Sequence, residues 1–152
     1  MASVFGRKFL GFSFWVGPGG EVKCKVAEKP LASFKQRIRQ LTRRLGGRSM
    51  EAVVDRLRVY LLGWKGYYRL AQTPGIWRRL DEWLRHRLRA IQLKQWKRGS
   101  TMYRELCALG ASAPVAREVA ANSRCWWRNS NRLIKKVLTI AYFDRLGVPR
   151  LS

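Results

Sequence analysis

From residue 31 onward, apolar side chains return every three or four positions, the spacing that lines one face of an α-helix. Phe34, Ile38, Leu41 and Leu45 form the first stripe and predict a helix over 31–45, closed by Gly46 and Gly47. Ser49 is a good N-cap, with Glu51 in the following first turn. Met50, Val53, Val54, Leu57, Leu61, Trp64 and Tyr68 make the second stripe. Gly63 and Gly66 interrupt that helix and predict close packing against another backbone. Thr73-Pro74 reads as an N-cap and first-turn proline for a third helix over 74–96. Its stripe is Trp77, Leu80, Leu84, Leu88 and Ile91.

The flanks read differently. Residues 8–25, KFLGFSFWVGPGGEVKCK, alternate aromatic and β-branched residues around a Gly-Pro-Gly-Gly turn. They predict a β-hairpin, which is marginal alone and needs either a sheet supplied elsewhere or the helices that follow. Lys29-Pro30 then breaks the strand. Beyond Gly99-Ser100 the pattern predicts a short helix over 102–109, stopped by Gly110, and another opened by Pro114. A last amphipathic helix is expected after Ser130, with Leu133, Ile134, Val137, Leu138 and Ala141 on one face, ending at Gly147 and Pro149. The fold class is therefore mainly α, a helical bundle preceded by one β-hairpin. Residues 112–152 form an expected basic extension, loosely joined.

Charge changes the picture. The chain has 152 residues, with 32 Lys and Arg against nine Asp and Glu, a net charge of +23. Seven Trp, five Tyr and six Phe supply enough apolar surface for a core, so global disorder is excluded. So strong an excess of cations attracts polyanions, namely RNA, DNA or an anionic membrane surface. Most are arginines, whose planar fork pairs with phosphate and stacks on bases. The first helix carries Lys35, Arg37, Arg39, Arg43 and Arg44, with Arg48 just beyond, and no acid over 34–48. The third adds Arg78, Arg79, Arg85, Arg87, Arg89 and Lys94, followed by Lys97 and Arg98. Its acids, Asp81 and Glu82, are read as charges favoured by the helix N-terminus. Lys65, Tyr67, Trp126, Trp127 and Arg128 complete the candidate RNA-binding set. Of these, Tyr67, Trp126 and Trp127 are candidates for stacking on unpaired bases. Trp64, Trp77 and Trp83 are read as core.

Catalytic chemistry is sparse. His86 lies between two arginines with no acid to orient it, which favours a packing role. No pair of aspartates able to hold two metal ions and no phosphate-binding glycine loop ending in Lys-Ser or Lys-Thr is visible. Cys24, Cys107 and Cys125 are far apart and odd in number, so neither a zinc site nor a disulfide framework is expected, and buried free thiols are. No cofactor or metal is called for. The second helix is too apolar to read DNA bases, which disfavours a helix-turn-helix.

The segments FKQRIRQLTRR, GRSMEAVVDRLRVYLLGWKGYYRLA and LDEWLRHRLRAIQLKQWKR, preceded by KFLGFSF and followed by ANSRCWWRNSNR, resemble the C-terminal part of bacterial group II intron-encoded reverse transcriptase/maturases. The resemblance implies that residues 1–30 are a remnant of the polymerase palm. It makes 31–111 the maturase-specific thumb, or X domain, and leaves 112–152 as a C-terminal extension. It implies a thumb that grips group II intron RNA and assists its splicing in the bacterial cytoplasm. The palm's catalytic aspartate pair is missing from this sequence, so no polymerase activity is expected from the chain alone. Many members carry Asn-Pro where Arg58-Val59 stands, and Arg-Gly-Trp where Leu62-Gly63-Trp64 stands. The alternatives are a general structural RNA or nucleic-acid binder, and a thumb subunit of a split reverse transcriptase acting with a palm-bearing chain. Membrane-surface binding by the basic amphipathic helices is the least favoured reading.

Overall fold

The computed structural model describes residues 8–43, 47–131 and 133–152. The hairpin is present, formed by β2 (Phe12–Val16) and β3 (Val22–Val26), with Phe14 opposite Cys24. A two-residue strand, β1 (Lys8–Phe9), pairs with the free edge of β2. The β1–β2 turn holds both central residues at positive φ, Leu10 at 48° and Gly11 at 82°. That backbone twist suits a two-residue hairpin.

The small sheet leans on the end of α2 (Met50–Tyr67). Phe12 packs on Tyr67 and Tyr68, the Tyr67 hydroxyl donates to the Leu10 carbonyl at 2.9 Å, and the Gln72 amide donates to the Cys24 carbonyl at 2.8 Å.

The first helix, α1, spans Glu28–Leu41. It begins before Pro30 rather than after it. A proline in the first turn lacks only an N–H that would have no intrahelical partner anyway. Phe34, Ile38 and Leu41 are buried as their spacing predicts. Arg44, Leu45 and Gly46 lie outside the described residues. Thr42 ends the helix, its hydroxyl donating to the Ile38 carbonyl at 2.6 Å. Ser49 caps α2 by accepting from the Ala52 amide at 3.3 Å.

The third helix, α3, is Pro74–Trp96, as the pattern predicts, but Thr73 does not cap it. The Thr73 hydroxyl is buried with no hydrogen-bond partner among the described residues, while its carbonyl accepts from Ile76 and Trp77.

Two helices follow, α4 (Gly99–Ala108), which starts three residues earlier than expected, and α5 (Ala113–Ala121). The SRCWWRNSNR stretch contains a further helix, α6 (Trp126–Asn131). The single last helix expected from the stripe is broken into a 3-10 turn (Ile134–Lys136) and α7 (Ile140–Arg145). In a continuous helix the Leu138 carbonyl would accept from the Tyr142 amide. Here Arg89 Nε takes that carbonyl at 2.7 Å, and the Thr139 hydroxyl caps Tyr142 at 3.2 Å.

One apolar core runs through α1–α4 and the 112–152 extension, the tail, from Phe34 to Leu151. The tail is therefore firmly joined. Leu138, Phe143, Val148 and Leu151 are all buried in the same core as Leu84 and Leu88. Gly147 ends α7 at φ 95°, where its carbonyl accepts from Arg58 Nε at 3.0 Å. No helix among the described residues is long and apolar enough to cross a membrane.

Candidate nucleic-acid interface

Four residues of α-helix rise ~6 Å, so side chains at i, i+4 and i+8 form a row along the axis. Lys35 and Arg39 lie four residues apart on α1, beside the buried stripe, Arg43 follows two residues past its end, and all three are exposed. Arg79, Trp83 and Arg87 form the matching row on α3.

The two rows face each other. Lys35 and Arg79 line one small hollow with Trp83. The Arg39 and Arg87 guanidinium groups each lie 5.5 Å from the Trp83 ring. Arg87 also donates from Nε to the Thr42 hydroxyl at 2.7 Å. Because these contacts advance in the same direction on both helices, α1 and α3 run parallel, with a groove between them.

The groove opens at its far end into a cleft of about 520 Å³. Arg43 and Arg48 stand on one side, Lys94 and Lys97 on the other. Gln95 fixes the connecting loop by donating to the Arg48 carbonyl at 2.9 Å. No carboxylate lines the cleft or the hollow among the described residues. Cations this close, with no acid between them, hold one another at a repulsive cost that an incoming phosphate chain relieves.

Several candidates lie elsewhere. Arg85 and Arg89 are the main corrections, since both are buried at 1 % and 5 % exposure. They lie on the same row of α3 as Asp81 and point into the contact with the tail. Arg85 donates to Asp81 and Asp144 at 3.3 Å each, and to the Val148 and Pro149 carbonyls. Burial pushes its pKa down while the two aspartates push it up.

Asp81 is likewise no free charge at the helix start. It is buried and accepts from the amides of Leu151 and Ser152, at 2.9 Å each. Asp144 is gripped by Arg150 and Arg85, which together hold its carboxyl below the usual range, the hydrogen bond from Arg150 leading.

Lys65 donates to the Arg150 carbonyl at 2.8 Å, and Tyr67 is held by Leu10 and Phe12. Trp126 is half-buried against the core with the Lys94 ammonium 5.0 Å from its ring. Trp127 stacks on His86 with ring centres 3.7 Å apart, so one of its faces is already covered. Arg37, Arg78, Arg98 and Arg128 are exposed but line neither the groove nor its cleft. Cys125 is exposed, against the expectation of buried thiols, whereas Cys24 and Cys107 are half-buried.

Trp83, expected in the core, does pack against it, and its ring also lies between Arg39 and Arg87 in the groove, which sequence reasoning missed. The signal was its place four residues from both Arg79 and Arg87.

The fold and charge define a class, a small helical bundle with a cationic groove between parallel helices. The model of the group II intron maturase-specific domain matches residues 31–108, half of the chain, and the chain belongs to that family. The matched span starts in α1 and ends with α4, so it contains the groove and leaves out the hairpin and the tail. Membership assigns the chain to group II intron maturation. No curated protein matches the sequence.

Proposed function

We propose that the chain is the RNA-binding maturase module of a bacterial group II intron reverse transcriptase. The module binds intron RNA in the α1–α3 groove and assists its folding and splicing. The observation that carries this reading is the unopposed positive groove inside the family's own domain. Lys35, Arg39, Arg43, Arg48, Arg79, Arg87, Lys94 and Lys97 track the RNA backbone, and Trp83 stiffens the floor between Arg39 and Arg87. Phosphate contacts of this kind position an RNA by its shape.

The hairpin at 8–27 corresponds to the end of the palm and 31–111 to the thumb. The chain performs no polymerase chemistry of its own, since its sequence holds no adjacent pair of aspartates. A palm-bearing chain supplies that chemistry where it is needed. The protein works in the cytoplasm, where intron transcripts are found.

The test is competition binding of folded group II intron RNA against an unrelated structured RNA and duplex DNA. Engaging six phosphates gives a slope of log affinity against log salt of about −4 to −5. The triple substitution Arg39→Glu, Arg43→Glu and Lys94→Glu should cut intron RNA affinity by at least ~100-fold while leaving the helical circular dichroism unchanged. Unaltered affinity in that variant refutes the groove. Equal competition by all three nucleic acids refutes intron recognition by this module.

A further inference from the structure

A second hollow, of about 660 Å³, lies between α3 and the tail, on a different side of Trp83 from α1. Its wall includes Arg89, whose placement is unusual. Arg89 is 5 % exposed, its Nε donates to the Leu138 carbonyl, and its two Nη groups have no hydrogen-bond acceptor among the described residues. No carboxylate pairs with it either. Burial pushes its pKa down and the charge of Arg85 acts in the same direction, and the Phe143 ring, 6.0 Å from its guanidinium, is its one aromatic neighbour among the described residues. A buried cation without a counter-charge is costly, and the usual resolution is an anion held against it.

The rest of the hollow fits that anion. Arg79 and Lys135 are exposed at its mouth. Glu82 is the one acid on the rim and forms no ion pair among the described residues. His86 donates from Nε2 to the Trp127 carbonyl at 2.8 Å, which fixes the ring at the edge of the hollow as a reporter on it. The volume exceeds what a bare phosphate needs and lies in the range of small-ligand sites. Trp83 and Ile140 supply apolar wall for a flat ring.

We propose that this hollow binds the phosphate group of a nucleotide unit, with Arg89 at its buried wall and Lys135 and Arg79 at its mouth. The phosphate belongs either to an unpaired RNA residue or to a free nucleotide. The proposal rests on the RNA reading above only for that choice of source.

The experiment follows the His86 ring protons and the Trp83 indole N–H by NMR in the full chain. Inorganic phosphate, adenosine monophosphate and a short single-stranded RNA are titrated separately at constant ionic strength, with chloride as the control. Saturable shifts at both residues are expected with the phosphate-bearing probes. Lys135→Ala should weaken them about tenfold, the loss of one charged hydrogen bond. Arg89→Met should abolish them, and if that variant fails to fold, Lys135→Ala decides the matter alone. The double variant Arg39→Glu, Arg43→Glu should keep the response to adenosine monophosphate, which separates failure of the groove from failure of this hollow. A response to RNA as well as to the mononucleotide supports the site with RNA as its source. A response to the mononucleotide alone supports it with a free nucleotide. Shifts reproduced by chloride, or unchanged in Lys135→Ala, overturn the proposal.

Discussion

At the residue scale, the cations of α3 divide into two kinds that the sequence writes identically. Arg79 and Arg87 face the groove, while Arg85 and Arg89 face the tail. Only the neighbours differ. His86 lies between these groups and reports on both. Burial lowers its pKa from the ordinary 6.5, and the charges of Arg89, Lys135 and Arg87 act in the same direction. The hydrogen bond to the Trp127 carbonyl works the other way. The imidazole should therefore titrate below 6.5. The unfolded chain takes up this proton first as pH falls, so the contribution of His86 to stability is present above pH 6.5 and is lost between there and the folded-state pKa. His86→Gln keeps an N–H donor for Trp127 and should remove that part of the pH dependence. An NMR titration of the ring with a midpoint at or above 6.5 would refute the assignment.

At the element scale, the periodic stripes fixed α2 and α3 to within a residue, because a single buried face needs no knowledge of what covers it. Two element-level expectations fail for physical reasons. The last helix breaks because Arg89 takes the Leu138 carbonyl from its own helical partner. Gly63 and Gly66 do not mark close packing within the chain, since a Cβ built at either meets nothing within 4 Å. Both are therefore pure entropic cost to α2 in the isolated protein. Gly63→Ala and Gly66→Ala should each raise stability by about 0.5–1 kcal/mol, read as a higher Tm. A lower Tm in either variant would show that the glycine is needed by the fold itself.

At the scale of the whole molecule, a buried carboxylate ties the end of the tail to the bundle, beside the shared apolar core and the bonds from Arg58, Lys65 and Arg89. Asp81 accepts from Arg85, from the amides of Leu151 and Ser152, and from the Ser152 hydroxyl. Removing its charge leaves Arg85 short of a partner in a buried site. Asp81→Asn should cost about 3 kcal/mol in urea denaturation. It should also speed hydrogen exchange at the Leu151 and Ser152 amides ahead of the rest of the protein. A loss below about 0.5 kcal/mol, in the range of surface substitutions, would mean that apolar packing alone holds the tail. The same anchoring keeps Arg85 away from solvent. It also leaves the α1–α3 side of the bundle as the open cationic face.

The sequence by itself determined the helical class, the hairpin, the buried stripes and the excess of positive charge. Periodicity is a local property and charge is additive, so neither depends on which elements meet. It also showed the run of cations from Lys35 to Arg48 with no acid among them, since charge is read directly off the chain. Only the tertiary structure decided that α1 and α3 lie side by side around Trp83, that Arg85 and Arg89 turn inward, and that Asp81 holds the tail. Those outcomes rest on pairs far apart in the chain, such as Arg87 with Thr42 and Leu151 with Asp81. A polar side chain pairs with whatever the fold brings within hydrogen-bond reach, and its own neighbours in sequence do not say what that is.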